Sequence, residues 1–139
     1  MRYIIGDVHG CIKTLEALVK KLPKDSEIIF VGDLIDRGKN SKHVIEFVKS
    51  NNYDCVLGNH EFEMIQVLPK ILHSPHEVND FDWYTMGGGY ETMKSYGFTG
   101  FLKQKEAIVY EHIQWLKTLP LYLEYPNLKN CEDRHLVVS

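Results

Sequence analysis

The sequence has few cysteines, and their number and spacing argue against the protein classes that depend on them. Three cysteines occur in 139 residues, and no two of them form a Cys-x-x-Cys pair. A disulfide framework or a zinc ribbon needs paired cysteines. We therefore expect Cys11, Cys55 and Cys131 to be reduced thiols.

Long apolar runs are also missing. No run approaches the roughly 20 apolar residues that a membrane-spanning helix needs. The apolar run at the N-terminus is short and ends at Asp7, so it differs from a secretory signal. These features favour a cytoplasmic protein that has no membrane partner.

An excess of positive charge is absent as well. Lys and Arg number 16 and Asp and Glu number 19, which gives a formal net charge of −3. Nucleic-acid-binding domains usually carry a basic patch, so we expect no nucleic-acid partner. The length fits a single domain over residues 1–139.

The first half of the chain alternates short apolar strands with amphipathic helices. The pattern predicts strands over residues 3–5, 27–31 and 53–57, and helices over residues 11–22 and 42–49. This alternation is typical of an α/β fold with a parallel sheet. The side chains expected to face the core from the two helices are Ile12, Leu15, Leu18, Val19, Leu22, Val44, Ile45 and Val48.

The second half is less regular. A helix over residues 61–72 is expected to bend or end near Pro69, and residues 73–82 are expected to be irregular. The remaining predicted elements are helices over residues 90–95 and 104–119 and strands over residues 121–125 and 136–138. A turn at Pro126-Asn127 is expected to connect the last two strands.

Three glycine-framed motifs follow the three predicted strands: GDVHG at residues 6–10, GDLIDRG at residues 32–38 and GNHE at residues 58–61. Asp33 lies 26 residues after Asp7, and Asn59 lies 26 residues after Asp33. This is the spacing of β-α units, so the loops should meet at the carboxyl edge of the sheet, where α/β proteins bind ligands.

The polar residues of these loops suit a site for divalent metals. Asp7 and His9 can reach one cation from the same loop, and Asp33 can give one carboxylate oxygen to each of two cations. Asn59 offers an amide oxygen. Mixed nitrogen and oxygen ligands suit Mn, Fe, Zn or Ni better than Ca. Two cations about 3.5–4 Å apart would hold a bridging hydroxide for in-line attack on a phosphoryl group.

Three further residues indicate chemistry on an anion. Arg37 supplies a forked donor for phosphate oxygens. His60 is placed to protonate a leaving alkoxide, and Asp36 can accept the other ring N–H of that histidine. Glu61 is explained equally well by a role in the site or by the favourable interaction of an acid with a helix N-terminus.

Together the motifs resemble GDxHG, GDxxDRG and GNHE of the calcineurin-like metallophosphoesterases of the phosphoprotein-phosphatase type. The resemblance implies an α-β-β-α sandwich, of which this chain would carry the N-terminal β-α-β-α-β part, further helices and the start of the second sheet. It also implies two divalent metal ions, with Mn expected and Fe, Zn, Ni or Mg as alternatives. The residue roles that it implies are metal binding by Asp7, His9, Asp33 and Asn59, an acid pair of His60 and Asp36, and phosphate binding by Arg37 and Asn59.

Within that family the chain is similar to small bacterial serine/threonine phosphatases and to diadenosine tetraphosphatases. Asp36 and Glu61 favour the phosphatase branch, because the dinucleotide branch often replaces the first and carries Asp in place of the second. We therefore expect hydrolysis of phosphomonoesters on phosphoserine, phosphothreonine or phosphotyrosine in proteins. Hydrolysis of symmetrical dinucleoside tetraphosphates is the alternative.

A later stretch resembles W-x-x-N-G-G-x-x-T-L-x-S-Y-G of the bacterial members, with Met86 in place of Asn, Met93 in place of Leu and one extra residue between Gly88 and Thr92. We expect its tryptophan to pack in the core or in a loop, rather than to stack on a base, and its glycines to form a turn. The matching residues are Trp83, Gly87, Gly88, Thr92, Ser95, Tyr96 and Gly97.

The resemblance also implies two more histidine ligands and a second phosphate-binding arginine beyond Ser139. We therefore expect a C-terminally truncated domain whose second metal site is incomplete. A non-catalytic metal-binding fragment with one tightly held metal is the alternative from another class. An uncovered sheet edge in such a chain predicts a homodimer.

Overall fold

A computed structural model describes residues 1–98, 106–129 and 132–139 of the chain. Its first sheet is parallel and has the strand order β1-β2-β3, with β1 at Arg2–Ile5, β2 at Glu27–Phe30 and β3 at Asp54–Cys55. Tyr3 lies opposite Ile28, and Phe30 lies opposite Cys55. The predicted parallel sheet is confirmed, although β3 is shorter than expected.

Two helices connect these strands, α1 at Ile12–Val19 and α2 at Ser41–Ser50. The predicted core face of α2 is confirmed, because Val44, Ile45 and Val48 are fully buried. On α1 only Leu15 is fully buried, and Leu18 is 44% exposed. The prediction that Leu18 faces the core is therefore wrong, since α1 turns Leu15 and not Leu18 toward the core.

The third helix, α3, spans Asn59–His73 and continues through Pro69. The expected end at this proline is wrong, because the helix runs on to His73. A bend at Pro69 stays a prediction. A proline inside a helix removes one backbone hydrogen bond, but the buried side chains of Leu68 and Ile71 hold the helix in the core on both sides of it. Tertiary packing thus outweighs the local preference.

The segment after α3 is more ordered than expected. A 3₁₀ turn covers Pro75–Asp80, and two short helices follow, α4 at Asp82–Thr85 and α5 at Gly89–Ser95. Another helix, α6, spans Glu106–Leu116, and its Ile113 and Leu116 are buried as predicted. The predicted start of that helix at residue 104 and the thiol of Cys131 lie outside the described residues, while Cys11 and Cys55 are free thiols.

The last two strands, β4 at Leu123–Lys129 and β5 at His135–Val138, form an antiparallel pair. The predicted turn at Pro126-Asn127 is wrong, because both residues lie within β4. The register becomes irregular after Tyr125, where Pro126 cannot donate a ladder hydrogen bond. Tyr125 connects the two sheets, since its hydroxyl donates to Asp54 Oδ2 at 2.8 Å.

The core lies between the first sheet and the helices. Phe30 of β2, Met64 of α3 and Val109 of α6 are among its fully buried side chains. In the described residues, no helix is both long enough and apolar enough to cross a membrane. The packing leaves the carboxyl edge of β1, β2 and β3 as the place where the three glycine-framed loops meet.

Candidate active site

Backbone hydrogen bonds join the first two loops at this edge. The amides of Val8 and His9 both donate to the carbonyl of Asp33 at 3.0 Å, and the amide of Gly10 donates to the carbonyl of Leu34 at 2.8 Å. The contact is so close that a Cβ atom on Gly38 would overlap the carbonyl oxygen of His9. The loops therefore form one rigid unit.

Four of the predicted site residues have left-handed backbone. The φ angles are 45° at His9, 49° at Asp33, 70° at Asp36 and 62° at Arg37. Such angles cost non-glycine residues on the order of 1–3 kcal/mol each and often occur at functional sites. The folded chain accepts this strain, and the strained backbone carries the side chains that meet at the sheet edge.

A group of metal-ligating atoms forms there. Ligand atoms of His9, Asp33 and His60 all lie within 4.8 Å of one another. His9 Nδ1 lies 2.8 Å from the carbonyl oxygen of Ile35, a contact in which the ring nitrogen donates and the lone pair of Nε2 is left for the site. Asp7 Oδ2 lies 3.5 Å from that Nε2, so the predicted ligands of the first metal are brought together.

Asn59 lies against the carboxylate of Asp33. Its amide nitrogen donates to Oδ1 and Oδ2 of Asp33, both at 3.2 Å. The fit to a cation therefore rests on the kinds of donor present: the imidazole of His9, the carboxylate of Asp33 and the amide oxygen of Asn59 are nitrogen and oxygen ligands that suit a borderline divalent metal.

The predicted acid pair is assembled in the interior. His60 Nδ1 lies 2.7 Å from Asp36 Oδ2, and the side chains are 9% and 0% exposed. Burial raises the pKa of Asp36, while hydrogen bonds from Thr92, His60 and Trp83 act in the opposite direction. Because Nδ1 donates to the carboxylate, Nε2 of His60 faces the loops.

Arg37 lies at the exposed side of the same group. Its Nη1 is 2.9 Å from His9 Nε2, and its Nη2 is 3.4 Å from His60 Nε2. Arg37 is an exposed residue, so an anion can reach its guanidinium group. A forked donor beside two imidazoles can bind two oxygens of a phosphate group.

Glu61 is a part of the site that sequence reasoning left undecided. It is fully buried, and its carboxylate accepts hydrogen bonds from the amides of Asp33 and Leu34 at 2.8 Å, Gly58 at 3.1 Å and Ile35 at 3.2 Å. Burial raises the pKa of Glu61 to about 7. One side chain thus joins the second loop to the third.

The signal for this role was present in the sequence. An acid at the third position of a helix can accept from the backbone N–H of the residue before the helix, which is half of a capping box. Glu61 follows Gly58 at that distance. The pattern alone could not show that the same carboxylate also reaches the loop of Asp33.

Trp83 and Thr92 are the other contacts that the sequence did not reveal. Trp83 is buried as predicted, and its indole nitrogen also donates to Asp36 Oδ2 at 2.8 Å. Thr92 Oγ1 donates to Asp36 Oδ1 at 2.6 Å. The predicted glycine turn is confirmed at Gly88, which has a φ of 92° and accepts from the amide of Arg37 at 3.4 Å.

Three features meet at the edge of the α/β sheet: a cluster of metal-ligating side chains, a buried histidine–aspartate pair and an exposed arginine. Together they suit metal-assisted chemistry on a phosphate group. Comparison with protein families agrees. The chain belongs to the calcineurin-like phosphoesterase family, whose model matches residues 3–136. Membership implies divalent metal ions as cofactors.

Curated relatives carry one particular name. The chain is 40% identical over 70 residues to the symmetrical bis(5'-nucleosyl)-tetraphosphatase of Marinomonas sp. (strain MWYL1), covering 47% of this chain and 26% of that protein. It is 35% identical over 98 residues to the enzyme of the same name from Coxiella burnetii (strain Dugway 5J108-111), covering 58% of this chain and 34% of the relative. The matches thus span between a quarter and about a third of these relatives.

A solved structure shares the fold. The metallophosphoesterase of Sphaerobacter thermophilus aligns with a TM-score of 0.59 and 24% sequence identity, over 88% of this chain and 41% of that one. The likeness supports the α/β architecture predicted from the sequence.

Proposed function

We propose that this chain is built to hydrolyse phosphomonoesters with the help of divalent cations, and that phosphoserine, phosphothreonine or phosphotyrosine in proteins are its substrate class. The observation that carries the proposal is the buried contact between His60 Nδ1 and Asp36 Oδ2 at 2.7 Å. This pair is suited to deliver a proton to a leaving group that leaves poorly without one.

The proposed roles of the residues are as follows. Asp7, His9 and Asp33 would hold one cation, and Asp33 with Asn59 would contribute to a second. Bound cations neutralise phosphate charge and make water nucleophilic near neutral pH. Manganese is the cation that we expect.

The substrate phosphate would lie between these ligands and the guanidinium of Arg37, which binds its non-bridging oxygens together with the amide of Asn59. His60 would protonate the leaving oxygen from Nε2. Asp36 would fix the ring through Nδ1 and stabilise the positive charge, and general-acid help of this kind is worth about 10²–10⁴ in rate.

The identity of the leaving group decides between two substrate classes. An alkoxide released from phosphoserine is far more basic than the phosphate group released from a dinucleoside tetraphosphate, so it benefits more from a proton donor. A complete His60–Asp36 pair is therefore most valuable on a phosphomonoester.

Hydrolysis of symmetrical dinucleoside tetraphosphates is the second candidate. The curated relatives described above carry that activity in their names, and their matches fall within less than two thirds of this chain. The same cations and the same arginine would serve a polyphosphate substrate. The two candidates differ in how much they depend on Asp36.

A side-by-side assay tests this proposal. Initial rates with manganese would be measured on a phosphoserine peptide and on diadenosine tetraphosphate, for the unchanged chain, for Asp36→Asn and for Asp25→Asn as a control at an exposed loop position. We expect the peptide to be cleaved faster, and Asp36→Asn to lower that rate about a hundredfold. Faster cleavage of the dinucleotide would reverse the order of the two candidates.

A non-catalytic metal-binding role is the proposal from another class. The ligand set of the first cation has Asp7, His9 and Asp33, whereas the second has only Asp33 and Asn59 among the predicted ligands. This role predicts one tightly held ion per chain with negligible turnover, which metal analysis after gel filtration would measure. Two tightly bound ions together with phosphatase turnover would refute it.

A further inference from the structure

Besides His60, residues of α4 and α5 also hold the carboxylate of Asp36. Trp83 Nε1 donates to Oδ2 at 2.8 Å, and Thr92 Oγ1 donates to Oδ1 at 2.6 Å. All of these groups are buried, with exposures of 3% for Trp83 and 0% for Asp36 and Thr92. Both oxygens of the carboxylate are therefore fixed by donors from outside the three glycine-framed motifs.

We propose that Trp83 and Thr92 are positioning residues, which hold Asp36 in the orientation that lets His60 present its Nε2 proton to the leaving group. The inference rests on the proposed function and deepens it, because it extends the acid machinery to the segment over residues 83–92. Neither residue needs to contact the substrate for this role.

The backbone of Asp36 shows why an external support is needed. Its φ of 70° lies in the left-handed region, and its amide is shared between Thr92 Oγ1 at 2.9 Å and Ser41 Oγ at 3.1 Å. Because the carboxylate has no exposure to solvent, water cannot replace a donor that is lost. A carboxylate without one of its donors would turn toward another partner, and its contact with His60 would weaken.

The same segment also supports Arg37. The carbonyl of Gly88 accepts from the amide of Arg37 at 3.4 Å, and a Cβ atom on Gly88 would overlap that amide. A Cβ atom on Gly89 would overlap the ring of Trp83. The glycines therefore allow one segment to approach the arginine and the acid pair together, which is a role beyond that of a simple turn.

Four variants of the chain test the proposal. Trp83→Phe removes one donor to Asp36 together with part of a buried ring system. Thr92→Val removes the other donor, and an acceptor of the Asp36 amide, at nearly constant volume. Thr92→Ser keeps the hydroxyl and should restore the behaviour of the unchanged chain. Trp115→Phe, in α6, is the matched control for replacing a partly buried tryptophan elsewhere.

The first readout is spectroscopic and does not depend on turnover. NMR spectra of chains labelled with ¹⁵N-histidine show the ring N–H protons. The signal of the His60 Nδ1 proton is identified as the one that is missing in His60→Gln. We expect Trp83→Phe and Thr92→Val to speed its exchange with water at least about tenfold, as the loss of a hydrogen bond to a charged group implies. Thr92→Ser and Trp115→Phe should leave it unchanged.

The second readout is the dependence of rate on the leaving group. With manganese, Trp83→Phe and Thr92→Val should lower kcat on an alkyl phosphate about tenfold, because general-acid help is reduced. On p-nitrophenyl phosphate, whose leaving group needs little protonation, kcat should change less than about twofold. KM should stay the same on both substrates.

The outcomes separate this inference from the proposed function. An unchanged His60 proton signal in both variants overturns the inference, and so does an equal loss of rate on the two substrates. If no phosphoester is cleaved by any form of the chain, the proposed function fails, while the proton signal still decides whether the two residues position the pair.

Discussion

Glu61 is the residue whose structural role exceeds what its place in the motif suggests. Its carboxylate accepts four backbone hydrogen bonds from the loops of Asp33 and Gly58 without any exposure to solvent. An aspartate would be one methylene shorter and could not make the same set of contacts without a backbone shift. The geometry of the predicted metal ligands therefore depends on a residue outside that predicted set.

Glu61→Gln is expected to weaken both the fold and the metal site. An amide NH₂ group would face backbone N–H donors in place of a carboxylate oxygen, which costs on the order of 1–3 kcal/mol of the free energy of unfolding. Misplacement of Asp33 should lower manganese affinity about 10–100-fold. Urea unfolding and calorimetric titration measure the two effects.

Glu63→Gln, at an exposed position of the same helix, is the control for this substitution. It should behave like the unchanged chain in both measurements. If Glu61→Gln matches Glu63→Gln in stability and in manganese affinity, the assigned role of Glu61 is wrong.

His112 makes the stability of the chain depend on pH. Burial lowers the pKa of His112 to about 4, and Nδ1 of the neutral ring lies 2.6 Å from the hydroxyl of Tyr96, which donates to it. In the unfolded chain the histidine has an ordinary pKa of about 6.5. The contribution of His112 to the free energy of unfolding is therefore constant above pH 6.5, and it is lost as the pH falls from about 6.5 to 4.

Between pH 7 and pH 5 this histidine should reduce the free energy of unfolding by about 2 kcal/mol. Asp36 and Glu61 have raised pKa values and act in the opposite direction, so the comparison must be made with His112→Gln. Urea unfolding at both pH values should show a larger acid loss in the unchanged chain. Equal losses in the two chains would contradict the assignment.

At the scale of elements, local patterns predicted the strands and helices better than the contacts between them. The alternation of apolar strands and amphipathic helices, and the 26-residue spacing of Asp7, Asp33 and Asn59, follow from local periodicity. The roles of Trp83 and Thr92 depend on how α4 and α5 approach the second loop, which no local pattern encodes. Those contacts became visible only in the folded chain.

The wrong predictions share a physical cause. The predictions for Pro69, Pro126 and Leu18 rest on local preferences. In the folded chain, tertiary packing determines the structure at these positions. Pro126 lies in β4 at an irregular part of the ladder, where a missing N–H is tolerated. Leu18 is expected in the core from its helical spacing, but α1 turns Leu15 and not Leu18 toward the core.

Pro69 gives a test at this scale. Because α3 continues through it, Pro69→Ala would restore a backbone donor to the helix interior and should raise the free energy of unfolding by about 1–2 kcal/mol. The gain is smaller than the full helix penalty of proline, since proline also restricts the unfolded chain. A lower stability in the urea unfolding of Pro69→Ala would show that the proline ring has a packing role that outweighs the missing hydrogen bond.

At the scale of the whole molecule, the open edge of the first sheet favours self-association. Among the described residues, β1 pairs with β2 on one side and has no partner strand on the other. Ile4, which lies on this strand, is 49% exposed. An open strand edge with apolar side chains favours pairing with a second copy, so we predict a homodimer.

Sedimentation velocity over a range of concentrations would measure this association. We expect a concentration-dependent dimer that Ile4→Lys weakens, because a charge at the edge of a sheet opposes pairing. A single monomeric species at every concentration would count against the prediction.

The central proposal for this protein is that the three glycine-framed loops form one metal centre. Crystals of the chain grown with manganese, measured near the manganese absorption edge, would locate the ion directly. We predict a strong anomalous peak in contact with His9 Nε2, Asp33 and Asp7, and its absence in crystals of Asp33→Asn. A peak elsewhere on the molecule, or an unchanged peak in the variant, would contradict the account.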